Sequence, residues 1–226
     1  MIYIEDRENV FSHQSQNCII FNISLNERSY LKELSPFYMW GDIPVPYSND
    51  FLANCVKSIW EGLKVFENCD VDINYFKNVN KNLEIRSSSL FGSLRGFRRG
   101  VYGDFIYSEQ EALKTVYIKS YRWVIENKLY KFILYLRELN NTGYKIVLLD
   151  DFKKNIGTSY ELPVSTANLI KAYAEGLEPF EDVVIKIPHF CSWCGKRVIT
   201  WETEEYKFKE IPPSENNNLQ GEIEFD

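Results

Sequence analysis

Residues 40–66 read WGDIPVPYSNDFLANCVKSIWEGLKVF, a proline-dense loop that feeds an amphipathic helix. Pro44 and Pro46 hold the backbone extended, because proline fixes its own φ and restricts the residue before it. Leu52, Val56, Ile59, Leu63 and Phe66 then recur at helical spacing and predict a helix over 50–67, capped by Asn49 or Asp50. Lys57, Glu61 and Lys64 fall at i, i+4 and i+7 on an adjoining face. Gly62 costs about 1 kcal/mol inside a helix relative to alanine, so its presence suggests close approach of a backbone or a ligand. Two tryptophans, Trp40 and Trp60, accompany the acids Asp42 and Glu61 at this junction. The segment reads as a pocket wall, with Trp40 and Trp60 to hold a planar ring, Lys64 to meet an anion, and Asp42 or Glu61 to supply a carboxylate. The competing reading is a surface helix whose Lys57–Glu61 pair contributes only about 0.3–0.5 kcal/mol.

Around this segment the pattern mixes helices and strands. Residues 2–4 and 18–23 read as short strands, and Tyr144–Asp150 (YKIVLLD) as the clearest one. A short helix is expected over 71–79. Residues 80–103 read as a glycine- and arginine-rich loop. A helical region covers 108–139, opened by a Ser108/Glu111 capping box and broken near 119–120 or 127–128. A Ser165-capped helix reaches about residue 175, with Gly176 after it. Further strands are expected at 183–187 and 198–201. The expected fold class is α+β: a mainly helical single domain over 1–180 around a small sheet, a strand and CxxC-knuckle appendage over 181–211, and a flexible acidic tail over 212–226.

Charge narrows the function classes. The chain of 226 residues carries a formal charge of -6, and the eight acids and two lysines of residues 202–226 account for all of it. A neutral body does not advertise duplex nucleic acid as a partner. No run approaches the roughly 18 apolar residues of a membrane span, and the acidic start MIYIEDRENVF has no signal-peptide core. These features suggest a cytoplasmic protein with no membrane partner. Its acidic tail offers contact to a protein partner.

Three further motifs carry chemistry. In GSLRGFRRGVYG, residues 92–103, glycines admit a ligand to the backbone, Arg95, Arg98 and Arg99 suit phosphate, and Phe97 and Tyr102 suit a base. GxxxxGK[ST] and GxGxxG are both absent, so this is neither a P-loop nor a dinucleotide fingerprint, and a mobile solvated loop is the competing reading. In PHFCSWCGKR, Cys191 and Cys194 form the CxxCG knuckle of a zinc ribbon with only half its ligands, leaving a structural zinc and a metal-free turn both open. No cofactor is otherwise required. The five scattered cysteines make a poor disulfide framework. Asp150, ending YKIVLLD, lies where acids often face a site, and where they also simply solvate a strand end.

The run KSIWEGLK, residues 57–64, resembles the NADAR family, whose members act on ADP-ribosyl compounds and cleave an N-glycosidic bond. That family's helix has the form E-x-x-(aromatic)-Q-x-x-K. Trp60 matches the aromatic, Lys64 the closing lysine, and Glu61 stands where glutamine is common. SLRGFRRG is similar to the family's glycine/arginine turn, and the order of helix, strand and acidic exit is similar too, over about residues 35–175. The resemblance implies a NADAR-like domain that binds, and as an N-glycosidase hydrolyses, an ADP-ribosyl or related nucleotide, either free or carried on nucleic acid. Lys57 departs from it by standing where the family has a glutamate. An ammonium opposes the positive charge that builds on the sugar carbon as a glycosidic bond breaks. Under this resemblance Glu61, Asp42 or Asp150 takes over the catalytic carboxylate role, or the chain binds without cleaving. The alternative class is a non-catalytic binding protein of the immunity or antitoxin type.

Overall fold

A computed structural model describes residues 1–5, 18–23, 31–48, 50–77, 86–150 and 165–176. The expected strands at 183–187 and 198–201, the expected Cys191/Cys194 knuckle, for which a structural zinc and a metal-free turn stay open, and the acidic tail lie outside the described residues. Helices and sheets are mixed, as expected.

The first sheet is parallel. β8 (Lys145–Leu149) lies between β1 (Ile2–Glu5) and β2 (Cys18–Asn22), with Ile2 opposite Ile146 and Ile19 also opposite Ile146. Ile146, Val147 and Leu148 are fully buried. A near-continuous apolar run is what a parallel strand covered on both faces requires. A second sheet is antiparallel and joins β5 (Lys64–Phe66), β6 (Leu94–Arg98) and β7 (Ile106–Tyr107). A two-stranded pairing of β3 (Ile43–Pro44) with β4 (Leu52–Ala53) closes the proline loop on itself.

The helix expected over 50–67 is corrected to α1, Val56–Gly62. The apolar spacing is real, but its two ends are strands β4 and β5. Its cap is Cys55, whose Sγ accepts from the Ser58 N–H at 3.3 Å while Ser58 Oγ accepts from the Cys55 N–H at 3.4 Å. Phe66 continues the helical pattern yet belongs to β5, because a ladder to β6 captures it. The loop expected over 80–103 is likewise corrected in its described part, which holds α2 (Ser88–Phe91) and β6. Of the short helix at 71–79, the described residues keep only a 3₁₀ turn, Ile73–Tyr75.

The long helical region is continuous from α3 (Glu109–Ala112) through a π-helical stretch (Leu113–Ile118) into α4 (Lys119–Asn127). The Ser108/Glu111 capping box is present. The break falls at Lys128–Leu129, before α5 (Tyr130–Asn141). Ser165 caps α6 (Thr166–Ala174). Val116, Tyr121, Val124, Phe132 and Leu136 bury one face of this helical layer in the core. No described helix is long and apolar enough to cross a membrane.

Gly62 has a packing reason. A Cβ there would lie 2.4 Å from the Phe76 ring and 3.1 Å from the Asp72 carbonyl oxygen. The close approach foreseen from sequence is therefore made by the protein itself. Gly62→Ala gains about 1 kcal/mol of helix propensity but must displace a buried aromatic ring. The expected result is a net loss of about 1–3 kcal/mol from overpacking, read by chemical denaturation.

Candidate functional site

Residues 40–66 divide into a buried half and a surface half. In the buried half, α1 sets Lys57 and Glu61 one turn apart, and the chain reverses so that Lys64, first residue of β5, returns to the same carboxylate. Lys57 Nζ lies 3.0 Å from Glu61 Oε1. Lys64 Nζ donates to Glu61 Oε1 at 2.9 Å and Oε2 at 2.7 Å, and the Arg86 N–H donates to Oε2 at 3.0 Å. Glu61 is 0% exposed and Lys57 2%. These are bonds of the short, charge-assisted kind. A carboxylate held by two ammoniums and a backbone N–H has little capacity left to serve as base or nucleophile. The surface ion pair weighed from sequence is in fact interior.

Arg86 completes the cluster, and sequence reasoning missed it. Its Nη1 donates to the carbonyls of Lys64 (2.8 Å), Glu61 (3.2 Å) and Gly62 (3.5 Å). Its Nη2 donates to the Asp70 carbonyl at 2.6 Å and to Cys69 Sγ at 3.0 Å. The guanidinium carbon lies 5.2 Å from the Phe66 ring centre, 5.4 Å from Phe91 and 5.9 Å from Tyr75. Arg86 thus occupies the acceptors at the C-terminal end of α1, where a cation also meets the negative end of the helix. A lone arginine in EIRSSS offers no spacing that would reveal such a role.

The surface half centres on Tyr47. Two non-glycine residues of the proline loop have left-handed backbones, Asp42 (φ +54°) and Tyr47 (φ +60°). Such conformations cost free energy and tend to persist at functional positions. Tyr47 is 41% exposed. The Arg99 guanidinium lies 4.9 Å from its ring centre and Lys119 Nζ lies 4.5 Å from it. Arg99 and Lys119 are exposed, and neither pairs with a carboxylate among the described residues. Gly100 fixes the approach of the two loops: a Cβ there would lie 2.4 Å from the Tyr47 carbonyl oxygen. The Val101 N–H donates to Ser48 Oγ at 2.7 Å. Tyr107 extends the aromatic row, 6.2 Å from Tyr47 and 5.2 Å from Phe105. Tyr102 is 84% exposed, with Phe51 5.6 Å away. Sequence pointed to the arginine turn but not to Tyr47 or Lys119, which meet only through the fold.

The other expected site residues are placed as follows. Trp60 is in the core, its ring 4.0 Å from Phe97 and 5.6 Å from Tyr117. Trp40 is half-buried, donates from Nε1 to the Glu33 carbonyl at 3.1 Å, and packs on Tyr38. Asp42 is exposed on its left-handed turn. Asp150 follows β8 and accepts from Ser165 Oγ at 2.6 Å. Arg95 is exposed. Glu61, Asp42 and Asp150 thus occupy three different settings.

Arg98 forms a fork with Asp70, Nε to Oδ1 at 2.9 Å and Nη2 to Oδ2 at 2.5 Å, and Nη1 reaches the Gly103 carbonyl at 2.9 Å. Partial burial pushes the Asp70 carboxyl up, but the Arg98 hydrogen bonds, the Val71 N–H and the charges of Arg98 and Arg86 outweigh it and hold the group below its ordinary range. A carboxylate depressed in the folded state stabilises above its unfolded pKa, and that stability is lost as pH falls through the folded pKa. Asp70→Asn is therefore expected to flatten the acid limb of the stability–pH curve below about pH 4 and to leave the alkaline limb unchanged. The readout is denaturation at stepped pH. Because Asp70 is largely exposed, the effect is modest.

Among the described residues no three His, Cys, Asp or Glu side chains group as a metal site would require. Cys18, Cys55 and Cys69 are thiols outside any disulfide. The model of a family of unknown function (DUF6939) matches residues 5–170. Comparison with curated proteins and with solved structures gives no match.

Proposed function

We propose a function for the chain as a member of this family of unknown function (DUF6939), to which it belongs: it binds an ADP-ribosyl or related nucleotide at the Tyr47 surface, and binding rather than glycosidic cleavage is its activity there. The observation that carries the reading is the pair of exposed cations, Arg99 and Lys119, both within 5 Å of one strained, exposed tyrosine ring. Two cations without a carboxylate between them suit a phosphate or diphosphate, with arginine able to meet two oxygens at once. The exposed rings of Tyr102 and Phe105 offer a purine a face to stack on. The resemblance of residues 57–64 to the NADAR helix supports the ADP-ribosyl class.

Binding is favoured over cleavage by the state of Glu61. A carboxylate that stabilises an oxocarbenium must face the sugar, whereas this one faces Lys57, Lys64 and the Arg86 N–H. Isothermal titration of the purified protein with ADP-ribose tests the reading. Saturable binding is expected, weakened about tenfold or more in Arg99→Ala and in Lys119→Ala, as the loss of a charge-assisted contact implies. Chromatography of the same mixture is expected to return ADP-ribose intact. Wild-type protein without binding at millimolar ligand, or variants that bind as well as wild type, would sink the proposal.

A further inference from the structure

The Tyr47 surface is more apolar than a diphosphate alone needs. Tyr102 and Phe105 are exposed in the turn that joins β6 to β7. Arg99 from that turn and Lys119 from α4 meet over the Tyr47 ring. The Arg99 N–H donates to the Phe105 carbonyl at 2.9 Å, and the Val101 N–H fastens the turn to Ser48 Oγ at 2.7 Å. Rings and cations are therefore held ready as one face, which lowers the ordering cost of whatever covers it. Asp104 is the one carboxylate of residues 99–105, so with Arg99 and Lys119 the face keeps one net positive charge. Exposed rings gathered on one face mark an interaction surface.

The chain carries a segment of matching chemistry. Residues 202–226 hold all of its net negative charge, and within them Glu222, Glu224 and Asp226 alternate with Ile223 and Phe225. Carboxylates interleaved with apolar side chains complement cations interleaved with rings. Residues 175–221 separate this run from α6. At up to about 3.3–3.6 Å per residue, they are long enough to cross a domain whose radius of gyration is about 16 Å. Being in the same chain, the run meets the face at an effective concentration that dilution does not lower. A separate acidic peptide has no such advantage.

We infer that residues 222–226 dock on the Tyr47 surface of their own chain and hold it against ligand. The carboxylates meet Arg99 and Lys119, while Ile223 and Phe225 cover Tyr102 and Phe105. Exposed ion pairs are individually weak and are screened by salt. The docked segment is therefore a reversible cover that a stronger anion displaces. Displacement by a diphosphate rests on the nucleotide reading above, whereas docking itself does not.

The test is carbodiimide coupling of the full chain, which joins a carboxylate to an amine only where the two touch, followed by mass spectrometry of the linked peptides. Lys119 is expected to link to Glu222, Glu224 or Asp226 in a product of monomer size. The link is expected to fall away at about 1 M salt, where the screening length shortens to about 3 Å. Arg99→Ala keeps both reacting groups and is expected to cut the yield about two- to threefold, as the loss of an exposed ion pair implies. In parallel, the full chain carrying E222Q/E224Q/D226N is expected to bind ADP-ribose about threefold more tightly than wild type at low salt, and no more tightly at high salt. Lys119 without a link to these residues, a link confined to dimer-sized product, or a measured ADP-ribose affinity equal in the triple variant and the wild type would each overturn the inference. A monomer-sized link in a chain that binds no ADP-ribose would confirm the docking and remove the nucleotide reading alone.

Discussion

Glu61→Ala is expected to cost about 3–5 kcal/mol of folding stability, the range seen when one partner of a buried charge pair is removed. The variant leaves two ammonium groups, Lys57 (2% exposed) and Lys64 (9%), around an emptied carboxylate position, and deprives the Arg86 N–H of its acceptor. At about 2–4 °C per kcal/mol for a chain of this size, the melting midpoint should drop by roughly 10 °C. The cost comes from stranding the cations rather than from losing net attraction, because burying an ion pair carries a desolvation penalty near its Coulombic gain. The apolar triple variant K57M/E61L/K64M is accordingly expected to recover part of the loss. A Glu61→Ala protein as stable as wild type would show that the cluster does not hold the fold.

Arg86→Ala is expected to be comparably damaging for a different reason. Its guanidinium serves the carbonyls of Glu61, Gly62, Lys64 and Asp70, of which Glu61 and Gly62 also accept from the Leu63 and Asp72 N–H groups, so the loss falls most on Lys64 and Asp70. Each buried acceptor left unsatisfied costs about 1–3 kcal/mol. The side chain also fills the space between Phe66, Phe91 and Tyr75. Arg86→Lys keeps the charge but has one donor group where arginine spreads a planar fork. It should rescue less than half of the loss. Equal stability of Arg86→Lys and wild type would show that charge alone suffices, against the geometry.

Much of the local structure was legible in the chain. Ser108 with Glu111 marked a helix start, YKIVLLD a strand, and Ser165 another cap, because each signal acts over only a few residues. Residues 64–66 show where such reading stops. Leu63 and Phe66 continue the spacing of Ile59, so periodicity carries the helix on, while the strand that ends it depends on a partner about thirty residues away. Glycine likewise argued against a strand over 94–98. Yet Gly96 is required there, since a Cβ would lie 2.2 Å from the Tyr107 carbonyl oxygen.

The site was half legible for the same reason. Lys57, Glu61 and Lys64 announced a charged stripe, but exposed and buried stripes have one spacing, and distant contacts such as the Arg86 N–H to Glu61 and the Phe37 ring beside Lys57 accompany this one in the interior. Arg99 was named from the arginine turn. Tyr47 and Lys119 come from a proline loop and from α4, and no local pattern links them. The proposal is a division of labour within one segment: Glu61 serves the fold, and the Tyr47 surface serves the proposed ligand.

A crystal structure with ADP-ribose bound measures that division directly. The account predicts diphosphate oxygens at about 3 Å from the Arg99 guanidinium and the Lys119 ammonium, with Lys57, Glu61 and Lys64 keeping their mutual contacts. A ligand seated against Glu61, with either lysine turned from the carboxylate to the phosphates, would contradict it.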